Sequence, residues 1–161
     1  MKNKISVLQK SKLWKEEELS HKDIRDIVNL VINKIEKSDI GYEMSVILCS
    51  DKFIQKYNKE FMKKDKPTNV LSFPSGELEQ GGAEEVVYLG DIMLAYQTIE
   101  VERSDQGKTF KAHFTHMLIH GTLHLFGYDH INESKRESME ALEIEILQIM
   151  NISNHCSWIF A

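Results

Sequence analysis

Apolar residues at Ile24, Ile27, Val28, Val31, Ile32 and Ile35 recur at the three- and four-residue spacing of one helix face. Ser20, with Asp23 three residues on, predicts where that helix is capped. Upstream, the β-branched run Ile5–Leu8 predicts a short edge strand; downstream, Gly41 punctuates and Met44–Cys49 has the length of a buried strand. Asp51 is a candidate cap for a second helix whose Ile54, Tyr57 and Phe61 would face the core. A lysine-rich turn ending at Pro67 leads into a strand at Val70–Phe73, stopped by Pro74. Residues 75–85 read as an exposed acidic loop, and Val86–Ala95 as a strand broken at Gly90-Asp91. After a short helical piece and a break at Gln106-Gly107, one long helix runs from Phe110 to Phe126, with Gly127 as its stop. A last helix, with Ser134 and Glu137 as a capping box, carries the stripe Met139, Leu142, Ile146, Met150.

Strands interspersed with helices in this order predict an α+β domain of α/β-like element order. The expected architecture is a small mixed sheet of about four strands packed with about five helices. At 161 residues, with no repeat, low-complexity tract or linker, the chain is expected to form one domain over 1–161, ending in a tail at 151–161. A 42% hydrophobic and 28% charged composition excludes disorder as the general state. The formal net charge of −5 argues against a coat of positive charge for bulk nucleic-acid binding, so any such contact needs a local patch. Cys49 and Cys156 form no framework, and there is neither an apolar leader nor an 18-residue apolar run. A reduced, cytoplasmic protein with no membrane partner is the expectation.

The chemistry concentrates in HGTLHLFGYDH, residues 120–130. His120 and His124, four apart on a helix, leave one face a turn apart. Gly127 can turn the chain back so that His130 returns to the same point. Three neutral imidazoles suit one transition metal per chain, zinc first, with another such as nickel as the alternative. Three protein ligands leave a fourth position open, the pattern of catalytic zinc. The spacing matches the metzincin protease signature H-E-x-x-H-x-x-G-x-x-H, but Gly121 stands where the protease carries its general-base Glu. A metalloprotease reading is therefore disfavoured.

The same run resembles the metal motif of the YbeY family of endoribonucleases, the rRNA maturation factors. The segments KDKPTNVLSFP (64–74), LGDI (89–92) and MEALE (139–143), together with His113 and His116, are similar to that family in order and spacing. The resemblance runs from about Met44 to Met150. It implies that His120, His124 and His130 bind zinc and that the protein is a single-strand-specific endoribonuclease. It further implies a role in 16S rRNA 3′-end maturation and ribosome biogenesis. Single-stranded rRNA and a ribosomal subunit or its assembly proteins are the implied partners, with no DNA expected.

The chain departs from the family at two positions: Met62 stands where the family carries an Arg, and Asn69 where it carries an Asp. Losing the Arg removes a planar bidentate phosphate donor that lysine does not reproduce. Five lysines lie in 56–66 against Glu60 and Asp65, and Lys63, Lys64 and Lys66 are the candidate RNA contacts. No general base is assigned; Asp91 is a candidate proton acceptor and Asp129 a turn residue or an acceptor beside the metal. His113 and His116, on the His120 face, are candidates for orienting ligands rather than for ligation. His155 and Cys156 are read as ordinary tail residues. Behind the hydrolase stands a second reading, a ribosome-assembly factor that binds RNA or ribosomal proteins with little or no hydrolysis; the protease comes third.

Overall fold

Ser20 Oγ accepts the Asp23 N–H at 3.0 Å while the Asp23 carboxylate accepts the Ser20 N–H at 3.4 Å, closing a reciprocal capping box. The computed structural model, which describes residues 3–16, 18–80 and 86–152, thus begins its first helix, α1, at His21 and runs it to Ile35. Ile24, Ile27, Val28, Val31 and Ile32 are all buried, as their spacing predicts. On either side lie β1 (Lys4–Gln9) and β2 (Gly41–Cys49), paired in parallel, which requires a crossover such as α1. Then follow α2 (Asp51–Met62), β3 (Val70–Pro74), a single-turn α3 (Glu77–Gln80) and β4 (Val86–Ala95). The helices α4 (Tyr96–Asp105), α5 (Phe110–Leu125) and α6 (Glu133–Ile149) complete the described chain.

The sheet order is β1-β2-β4-β3, with β2 and β4 parallel and β3 antiparallel to β4. This is an α+β fold with one mixed four-stranded sheet, and the strand predicted at Ile5–Leu8 lies at one of its edges. The larger core lies between one sheet face and α1, α5 and α6; it includes Met44, Val46, Leu48, Ile92 and Leu94. A smaller core under α2 holds Cys49, Ile54, Leu71, Met93 and Ala95. No helix among the described residues is long and apolar enough to cross a membrane.

Several local expectations change. Ser50, not Asp51, caps α2 by accepting the Phe53 N–H at 3.2 Å. Asp51 instead ties α2 to α4, accepting from the Thr98 N–H and hydroxyl at 3.0 and 2.8 Å. Phe61 does not face the core: the last turn of α2 leaves it 55% exposed. The strand at 86–95 is not broken at Gly90. It continues through a bulge, with Tyr88 opposite Glu43 and Gly90 opposite Met44, so that Leu89 is the extra residue. Gly90 has φ +136°, and a Cβ there would fall 2.1 Å from the Phe73 carbonyl oxygen, so only glycine fits. Of the acidic segment predicted as loop, Ser75 and Gly76 are non-helical but Glu77–Gln80 form α3, with 81–85 outside the described residues. Asn132, not Ser134, caps α6, accepting the Lys135 N–H at 2.9 Å. His155 and Cys156 lie outside the described residues.

Candidate metal centre

Helix α5 is apolar enough to be buried along most of its length, packed against β3, β4, α1, α4 and α6. Its contact with the sheet is made possible by Gly121. A Cβ at that position would lie 3.1 Å from Ile92 Cγ2 and 3.2 Å from both Val70 Cγ2 and Ser72 Oγ. Ser72 Oγ donates to the Gly121 carbonyl at 3.0 Å, fastening helix to strand. The position at which the protease signature carries its carboxylate therefore faces a packed sheet, with no room for a Glu side chain.

The end of α5 brings the histidines together. Gly127, with φ +96°, donates its N–H to the His124 carbonyl at 3.0 Å, and Tyr128 donates to Leu123 at 3.1 Å. This is a Schellman ending, which closes the last carbonyls and reverses the chain. Asp129 Oδ1 then accepts the Ile131 N–H at 3.1 Å, holding the turn that carries His130. One ring nitrogen from each of His120, His124 and His130 lies within 4.8 Å of the others, the one such three-ligand group among the described residues.

Hydrogen bonding sets the state of the rings. His124 Nδ1 lies 2.8 Å from the Tyr128 carbonyl oxygen, an obligate acceptor, so Nδ1 carries the proton. His120 Nδ1 lies 2.7 Å from Glu143 Oε2, and an ionised carboxylate there imposes the same tautomer. The two Nε2 atoms then face each other at 3.0 Å with a lone pair on each. Such a contact suits a shared cation. Burial, then the nearby His130, pushes the His120 pKa down to about 3. Burial, then His120 and His130, takes His124 to about 4. Neutral, convergent imidazoles form a donor set that fits a transition metal.

Glu143 is the residue that reading the chain missed as a partner. Fully buried on α6, its carboxyl pKa is pushed up to about 7 by burial, against the opposing pull of His116. Its Oε1 lies 3.8 Å from His116 Nε2, so one carboxylate faces both His116 and His120. The signal was present: Glu143 falls on the α6 stripe with Met139, Ile146 and Leu147, an acid on an otherwise apolar buried face. His113 points elsewhere, its Nε2 2.8 Å from Glu102 Oε1. That same carboxylate accepts both contacts of the buried Asn69 amide, at 3.0 and 3.2 Å.

The histidines open on a cleft of about 440 Å³ whose walls include Met62, Lys64, Lys66, Ser72 and Asp129. The structure separates the three candidate lysines. Lys64 and Lys66 line the cleft, whereas Lys63 is the left-handed end of α2 and its Nζ donates back to the Glu60 carbonyl at 3.0 Å. Buried Asn58 donates to the Lys66 carbonyl at 2.9 Å and so anchors this turn. Asp91 does not line the cleft; it pairs with Phe73, whose ring lies on the α2 side of the sheet, and accepts from the Tyr88 hydroxyl.

The model of the family Endoribonuclease YbeY matches residues 7–151. Among similar proteins, the Endoribonuclease YbeY of Agrobacterium fabrum is 37% identical over 156 residues, covering 93% of this chain and 92% of the relative. That of Rhodopseudomonas palustris is 40% identical over 141 residues, covering 86% and 73%. The solution structure of TM1509 from Thermotoga maritima shares the fold, with a TM-score of 0.57 at 24% identity over 91% of each chain. With its histidine run, its mixed sheet and a match over nearly its whole length, this chain belongs to the endoribonuclease YbeY family.

Proposed function

We propose that this chain is a zinc-dependent endoribonuclease that cuts single-stranded RNA and acts in maturing the 3′ end of 16S rRNA and in ribosome biogenesis. The carrying observation is three convergent imidazoles opening on a lysine-lined cleft in a chain of this family. His120 and His124 through Nε2, with His130, would hold the metal. Bound there, it would supply Lewis-acid polarisation of a phosphoryl oxygen and a bound water of lowered pKa. The Tyr128 carbonyl and the Glu143 carboxylate keep a proton on the Nδ1 atoms of His124 and His120, fixing both rings. Lys64 and Lys66 hold the RNA backbone on the cleft wall, and Asn58 keeps their turn in place. The proposed setting is the cytoplasm, as one domain with a short tail, beside a ribosomal subunit or its assembly proteins.

A second reading, an assembly factor with little hydrolysis, draws on Met62: a 53% exposed thioether lines the cleft where the resemblance places an arginine. Cleavage of a labelled single-stranded rRNA fragment, beside the matching duplex and a peptide library, separates the readings. The hydrolase cuts the single strand alone. A protein that binds the RNA, holds its metal and leaves the strand intact is the assembly factor, and Met62→Arg then tests the missing guanidinium.

A further inference from the structure

Helix α2 carries a row of aromatic rings that ends at Phe61, one residue before the cleft-lining Met62. Phe53 and Tyr57 lie 5.4 Å apart at 37°, and Tyr57 and Phe61 lie parallel, 8° apart at 6.2 Å. Phe73 of β3 meets Phe61 edge-on at 5.5 Å and 71°. The Phe61 ring is thus held in orientation by two other rings while remaining 55% exposed. A single exposed apolar side chain needs no explanation. This one is a supported flat ring at the end of a row, next to Met62, which lines the cleft that also holds His120, His124 and His130.

Positive charge runs beside the rings. Lys56 Nζ sits 5.4 Å from the centre of the Phe53 ring, and Lys64 and Lys66 line the adjoining cleft wall. Five lysines against two acids make 56–66 locally basic in a chain of net charge −5. Flat apolar rings interleaved with cations, on a helix whose last residue, Met62, lines the cleft, match a polymer that alternates flat bases with phosphates. Only an unpaired strand offers its base faces; a duplex keeps them stacked inside.

We propose that Phe61, seated on Tyr57 and Phe73, is a stacking platform for an unpaired base of single-stranded RNA next to the cleft, and so a source of selectivity for single strands. This rests on the reading of the protein as an RNA hydrolase. Stacking recognises the face of a base and not its edge, so the platform tolerates any sequence.

The test is binding of a single-stranded oligoribonucleotide carrying one 2-aminopurine, and of its duplex, to the chelator-treated protein, with fluorescence reporting both Kd and stacking. Phe61→Leu keeps apolar bulk and removes the ring face; Phe61→Trp keeps the face. The expected result is a Kd for the single strand raised about tenfold by Phe61→Leu, with loss of 2-aminopurine quenching. Phe61→Trp should retain both, and the weak duplex binding should not change. Circular dichroism melts check that each variant is folded. Phe61→Leu binding and quenching like the parent overturns the platform alone, and is the outcome if the ring row serves a protein partner. A parent protein that does not bind single-stranded RNA in this assay and, loaded with zinc, does not cleave it overturns the hydrolase reading, and the platform with it.

Discussion

Glu143 Oε2 lies 2.7 Å from Nδ1 of His120, linking the middle of α6 to the first histidine of the tripod through a fully buried carboxylate. The contact aims the Nε2 lone pair of His120 at the point where His124 also aims its own. Glu143→Gln keeps the volume and weakens the acceptor, and should lower zinc affinity by about 10- to 100-fold, as expected of groups that orient a ligand. Competition with a chromophoric chelator reads this directly. An unchanged affinity in a folded variant would remove Glu143 from the site.

Gly121 is held between opposing effects. Alanine in a helix interior gains about 1 kcal/mol over glycine, whereas overpacking a well-filled core costs about 1–3 kcal/mol. Since the added methyl would meet three side chains at 3.1–3.2 Å, Gly121→Ala should be net destabilising by about 1 kcal/mol. Gly121→Glu should not fold stably. Urea unfolding measures the first, and a Gly121→Ala more stable than the parent would show that Val70, Ser72 and Ile92 give way.

Acid should weaken the metal-free protein. The folded pKa values of His120 and His124 lie near 3 and 4, below an unfolded value near 6.5, so the unfolded chain binds more protons between those limits. Their contribution is intact above about pH 6.5 and is lost progressively as pH falls toward 4. Glu143 acts oppositely: with a folded pKa of about 7, above the ordinary carboxylate value, it favours the folded state as pH falls. Two imidazoles outweigh one carboxylate, so stability in chelator should fall from pH 6.5 to 4.5. His124→Gln should flatten that fall, and an equally steep profile in the variant would sink the assignment.

Lys64 and Lys66 line the cleft and Lys63 folds back on its own helix. Lys64→Gln and Lys66→Gln should each reduce the slope of log affinity for single-stranded RNA against log salt by about 0.7, the change for one lost phosphate contact. Lys63→Gln should leave the slope unchanged. Equal effects at all three would mean diffuse attraction rather than contact.

Much of this arrangement was legible because it is local. The α1 stripe, the Val70 strand and the Gly127 stop each follow from spacing and from one residue's backbone freedom. The return of His130 toward His120 and His124 was legible for the same reason: helix period and a left-handed glycine span only eleven residues, 120–130. What the sequence hid is long-range. Glu143 reaches His120 from another helix, and Glu102 meets both Asn69 and His113 across the fold. Asn69, where the resemblance implies an aspartate, has its place here: its amide nitrogen makes contacts to both oxygens of Glu102, where a carboxylate would oppose it. Phe61 obeys the helix period of α2 and is nonetheless exposed, because periodicity gives a face and not what lies beyond the sheet edge.

The most direct measurement is to add zinc stepwise to metal-free protein while following cleavage of a labelled single-stranded rRNA fragment, beside His124→Ala. Cleavage that rises with added metal, levels at about one ion per chain and is absent from the folded variant is the predicted result. Cleavage without metal, or undiminished in His124→Ala, would contradict it.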